Sequence, residues 1–164
     1  MTFIKTLTLI SLISVVSSQT CSFQKSAVSA SWSTQNGNSL QIRYQNTGIS
    51  NNQWTAIGFG PNMFNQHVIV LMVQNGQVSI RTGRTSGHAP PTFDAQNNAN
   101  LQNVNFSGTT LSAIINVPMS FNGVNMQSCG TWNFVQSGPL FNGQMGMHTS
   151  RPDQVSDVCP SQCI

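Results

Sequence analysis

Two short runs, Trp54-Thr55-Ala56-Ile57-Gly58-Phe59-Gly60 and Val68-Ile69-Val70-Leu71-Met72-Val73, decide how the rest of the chain is read. Both are apolar and bounded by turn-forming residues. The second is continuous rather than alternating, the pattern of a strand covered on both faces. Asn75-Gly76 follows closely, a dipeptide that accepts the positive φ angles of a tight hairpin, and Val78-Ser79-Ile80-Arg81 supplies the returning strand.

The pattern repeats outward. Ala27 to Trp32 alternates loosely, Asn36-Gly37-Asn38 forms a turn, and Leu40-Gln41-Ile42-Arg43-Tyr44 puts Leu40, Ile42 and Tyr44 on one face. Val104-Asn105-Phe106 and Leu111 to Val117 flank Ser107-Gly108. Trp132-Asn133-Phe134-Val135 is the last clear strand. His88 to Asn100 reads as a long loop, and Arg151 to Ile164 as an irregular tail held by disulfides. No stretch shows sustained helical periodicity. The expected fold is all-β, an antiparallel immunoglobulin-like β-sandwich.

The chain has 164 residues, one domain by length. Residues 1–19 read as a signal peptide, with Lys5 before the apolar stretch Leu7 to Val16 and the small residues Ser17-Ser18 before Gln19. That stretch is short of the roughly 20 residues a membrane span takes. No later run or tail reads as an anchor, so residues 20–164 are expected as a secreted, extracellular domain without a membrane span. Cys21, Cys129, Cys159 and Cys163 agree with export and imply two disulfides, with three connectivities open. Cys159 and Cys163 lack the second pair or nearby histidine that a zinc site needs.

Only 5% of residues are charged, and none is glutamate. Without Lys5, five basic residues face three acidic ones, a net of +2. That is too little clustered basic charge for nucleic acid. Asp94, Asp153 and Asp157 offer no convincing carboxylate pair, Asp153 and Asp157 reading as solvating the tail. No Gly-x-Ser-x-Gly elbow and no phosphate-binding glycine loop occurs. A freestanding catalyst is therefore disfavoured. Asn105-Phe106-Ser107 is a glycosylation sequon, with Asn105 expected on the outer face of its strand.

His67, His88 and His148 lack the spacing of a zinc or copper site, and each alone reads as a surface or hydrogen-bonded histidine. One separated pair has more to offer. Met63 follows the first decisive strand and His148 follows the last clear one, both in loops. A thioether and an imidazole are a standard axial pair for haem iron. No Cys-x-x-Cys-His motif offers covalent haem attachment.

In order, three segments resemble the DOMON superfamily, secreted β-sandwich domains that include the haem b domains of cellobiose dehydrogenase and of plant auxin-induced and cytochrome b561-linked proteins. They are Trp54 to Gly60, then Pro61-Asn62-Met63-Phe64-Asn65-Gln66 with the strand Val68 to Val73, then Trp132 to His148. The likeness spans about the whole mature domain. It implies Met63 and His148 as axial ligands of haem b iron, in a pocket at one end of the sandwich. Both axial positions would then be filled, which favours electron transfer over substrate chemistry. Adjacency suggests Phe64, Leu140 and Phe141 as pocket neighbours. The partner is expected to be a separate extracellular redox molecule. Haem-free members of the family are thought to bind sugars or other ligands. The alternative is therefore a carbohydrate-binding or adhesion module, with Trp32, Trp54 and Trp132 available for stacking. Of these, Trp54 and Trp132 are expected in the core.

Overall fold

The computed structural model describes residues 20–164; the expected signal peptide, residues 1–19, lies outside the described residues. Two antiparallel sheets face each other. The first contains β1 (Ser22–Lys25), β2 (Val28–Gln35), β3 (Ser39–Asn46), β8 (Asn100–Ser107) and β9 (Thr110–Pro118), in the order β1-β2-β3-β9-β8. The second contains β4 (Gln53–Phe59), β5 (Phe64–Gln74), β6 (Gln77–Ser86), β7 (Thr92–Phe93), β12 (Gly130–Phe141) and β13 (Gln144–Met145). Its order is β13-β12-β4-β5-β6-β7, with β14 (Asp153–Val158) also on β12. A small hairpin, β10 (Ser120–Phe121) and β11 (Val124–Asn125), stands apart. The all-β sandwich is as expected.

The turns form where the sequence permits left-handed backbone. Asn75 and Gly76 take φ of 51° and 74° between β5 and β6, and Asn36 and Gly37 take 50° and 71° between β2 and β3. Leu40 and Ile42, on the inner face of β3, are buried against Ile57, Ile69 and Leu71 of the other sheet. Aromatic rings fill one part of this core. Trp32 and Trp132 lie 4.7 Å apart, and Phe59 meets Trp132 edge to face at 5.0 Å. Tyr44 hydroxyl and Thr55 Oγ1 are hydrogen-bonded at 2.5 Å inside the sandwich. Burial pushes the Tyr44 phenol up to about 12.

Val68 to Val73 is covered on both faces apart from half-buried Met72. Ile69, Leu71 and Val73 join the inter-sheet core, whereas Val68 and Val70 face outward and form a second apolar cluster with Trp54, Ala56 and Leu140. Trp54 is therefore buried outside the main core. Its neighbours in β4 alternate, Thr55 and Ile57 pointing in and Trp54 and Ala56 out.

The tail is more ordered than expected. Asp153–Val158 is a strand, with Val155 opposite Trp132. Its alternation is hidden because β14 is an edge strand with few apolar residues. Asp153 also pairs with Lys25 at 2.7 Å rather than only solvating the tail. The disulfides are Cys21–Cys163 and Cys129–Cys159, one of the three open connectivities. The first ties the start of the described chain to its end. The second fastens the tail beside the start of β12.

Candidate functional site

A cavity of about 310 Å³ lies on the outer face of the second sheet, within the range of small-molecule sites, roughly 300–1,000 Å³. Trp54 and Ala56 of β4, Val68 and Val70 of β5, and Val135 of β12 form its apolar floor. The floor is apolar because these strands expose a second hydrophobic face that loops, rather than another sheet, must cover. The β4–β5 and β6–β7 connections form one side, bringing Met63, His88, Ala89 and Pro90. The segment after β13 forms the other, bringing Met145, Met147 and His148. Met63 and His148, distant in sequence, thus line one cavity.

Two carbonyls fix the Met63 loop. Gly60 O accepts from Gln66 Nε2 at 2.8 Å and from Asn133 Nδ2 at 2.5 Å. Met63 O accepts from Thr85 Oγ1 at 2.5 Å and from the Gly87 amide at 3.1 Å. Gln66 lies over Gly58, where an added Cβ would stand 2.5 Å from the Gln66 side chain, so the loop packs this way only because residue 58 lacks one.

The His148 loop is tied to the same floor. Trp54 Nε1 donates to Gly146 O at 3.1 Å. The Thr149 amide donates to Ser137 O at 2.9 Å, where β12 bulges between Val135 and Gly138. His148 is half-buried, and its Nδ1 lies 2.7 Å from Ser150 O. A carbonyl only accepts, so Nδ1 carries the proton and donates. In the neutral ring the lone pair is then on Nε2, the arrangement that metal-ligating histidines generally show.

The other sequence expectations divide. Phe64 and Phe141 are 66% and 65% exposed and do not line the cavity. Leu140 is buried in the cluster beneath it. Trp32 and Trp132 are buried in the inter-sheet core and Trp54 in the cavity floor, so none stands free as a stacking platform. His67 faces away from the cavity, its Nε2 accepting from Arg84 at 2.6 Å. Burial and the Arg84 charge lower its pKa, while Asp94 raises it. Asn105 is exposed on β8. His88, unremarkable in sequence, does line the cavity. Its position after β6 and before Pro90-Pro91 was the available signal. Among the described residues no three His, Cys, Asp or Glu side chains gather as a metal-ion cluster. A thioether–imidazole pair needs no such cluster.

Comparison with known proteins agrees with the fold. The DOMON domain family model matches residues 24–138, and the chain belongs to that family. A DOMON domain-containing protein of Caenorhabditis briggsae is 38% identical over 169 residues, covering 98% of this chain and 99% of the relative. One from Caenorhabditis elegans is 38% identical over 159 residues, covering 93% of each. Among solved structures, the cytochrome domain of Myriococcum thermophilum cellobiose dehydrogenase is similar. Its TM-score is 0.56 at 13% identity, over 77% of this chain and 71% of that one. The cytochrome b domain of pyranose dehydrogenase from Coprinopsis cinerea gives 0.59 at 10% identity, over 80% and 77%. At such identities the likeness is one of fold.

Proposed function

We propose that this DOMON domain is a secreted haem b-binding module that passes electrons. The observation that carries the reading is that Met63 and His148 line one and the same apolar cavity, with the His148 Nδ1 proton bonded to Ser150 O. The donor set fits the group: a soft thioether and an imidazole with Nε2 free, above a floor of Trp54, Val68 and Val70. The structural likeness to two cytochrome domains supports it.

Haem would supply one-electron chemistry. Met63 and His148 would be the residues that hold its iron, the thioether and the imidazole each supplying a donor atom. A neutral Met/His pair favours the reduced state and raises the potential. The hydrogen bonds on Gly60 O and Met63 O hold the sulfur-bearing loop before any ligand arrives, which limits reorganisation. The apolar floor excludes water. Export fits the two disulfides, which persist in oxidising compartments. No helix among the described residues is long and apolar enough to cross a membrane. The electron partner proposed is an extracellular redox molecule. The burial of Trp32 and Trp132 counts against the haem-free carbohydrate reading.

The test is titration of the purified protein with haem. Equimolar uptake with a sharp low-spin absorbance spectrum is expected, and His148→Ala should lose the low-spin form. Refusal of haem by the folded wild type, alongside a hit on a glycan array, would favour the haem-free reading.

A further inference from the structure

We propose that His88 is a second donor for the iron position assigned to Met63, so that His148 can be partnered by either a thioether or an imidazole; this rests on the haem reading above. Two of the three histidines, His88 and His148, line the cavity, and they are delivered from opposite edges of the sheet that forms its floor. His148 arrives from beyond β12, His88 from the β6–β7 connection at the other side. Met63 and His88 are therefore brought to the cavity together, away from the edge that delivers His148.

Their coupling is local and specific. Thr85 and Gly87, just before His88, supply the two hydrogen bonds to the Met63 carbonyl. The two donors thus ride on one bonded unit. Phe64, the neighbour of Met63, meets the His88 ring edge to face at 6.0 Å. Pro90 and Pro91 restrict the chain beyond it. Hydrogen bonds occupy ring nitrogens of His67 and His148, whereas none among the described residues engages the His88 ring. The His88 residue is exposed at the rim of the cavity, steadied from one side by that aromatic contact.

The exchange balances simply. An iron–sulfur bond breaks and an iron–nitrogen bond forms. Each neutral donor brings one lone pair, and no electron or proton is transferred provided the imidazole is neutral. The consequence is a change of potential. Met ligation raises the potential, so replacing Met63 by His88 lowers it. The same cavity would hold two redox settings.

The experiment compares haem-loaded wild type, Met63→Leu, His88→Ala and Met63→Leu/His88→Ala by electron paramagnetic resonance and redox titration. Circular dichroism checks each fold. Met63→Leu keeps the side-chain bulk and removes the sulfur. The proposal expects Met63→Leu to remain low-spin at a lower potential, and the double variant to lose the low-spin signal. A high-spin Met63→Leu protein overturns the proposal and leaves the haem reading intact, as does a double variant that stays low-spin like Met63→Leu. A folded wild type that takes up no haem overturns both.

Discussion

Trp54 Nε1 donates a hydrogen bond to the carbonyl of Gly146 at 3.1 Å, joining the cavity floor to the loop that carries His148. The contact depends on a bare backbone beside it. A Cβ on Gly138 would lie 2.4 Å from the Trp54 indole. Strand β12 therefore carries no side chain where the indole must lie. Trp54→Phe keeps most of the apolar surface and removes the donor. The expected cost is about 1 kcal/mol, a fall in Tm of about 2–4 °C for a domain of this size. Thermal unfolding followed by circular dichroism measures it, and an unchanged Tm would show that the bond contributes nothing.

His67 sets a pH dependence. Its pKa is lowered in the folded protein, by burial first and by Arg84 next, against the opposing pull of Asp94. The unfolded chain therefore binds a proton that the folded chain resists. Stability contributed this way is present above the ordinary histidine value of 6.5 and falls as pH drops below it. His67→Gln offers Arg84 an amide oxygen and does not titrate. Urea unfolding at neutral and acidic pH should show a smaller loss in His67→Gln than in wild type. Equal losses in both would remove His67 as the cause.

The disulfides differ in reach. Cys21 and Cys163 are 142 residues apart, Cys129 and Cys159 only 30. Chain-entropy reasoning assigns about 3 kcal/mol to a 15-residue loop and about 4.7 to a 100-residue one. Replacing Cys21 and Cys163 by serine should lower stability more than replacing Cys129 and Cys159. Denaturant unfolding of the two double variants decides the order.

Asn105 is expected to carry a glycan when the chain passes through a secretory route. It is exposed on β8, at the edge of the first sheet, within Asn105-Phe106-Ser107. Expressed through a eukaryotic secretory route, the protein should carry a glycan that an endoglycosidase removes with a shift in mass. Asn105→Gln should abolish that shift. An unmodified wild-type protein in the medium would contradict the assignment.

Much of the fold was legible because the strands announce themselves by alternation and by Asn-Gly turns. Leu40, Ile42 and Tyr44 share a buried face as their spacing predicted. β14 was not legible, since an edge strand such as Asp153–Val158 buries too little to impose a pattern. The candidate site was half legible. Met63 and His148 stood out through their loops, but pairing across β12, β4 and β5 had to bring them to one cavity. His88 was marked in the sequence only by its place before Pro90-Pro91, because what brings it beside Met63 is the pair of hydrogen bonds from Thr85 and Gly87 to the Met63 carbonyl, which no local pattern announces. Phe64 and Phe141 misled, since adjacency in a chain says little about which way a ring turns at the mouth of a sheet.

If the sulfur of Met63 and the imidazole of His148 hold one haem iron, the bond to sulfur has its own optical signature. The most direct measurement is the near-infrared absorption of the ferric, haem-loaded protein, where a methionine sulfur bound to iron gives a charge-transfer band. The wild type should show this band and Met63→Leu should lack it. A haem-loaded wild type without the band, or a Met63→Leu protein that keeps it, would contradict the claim.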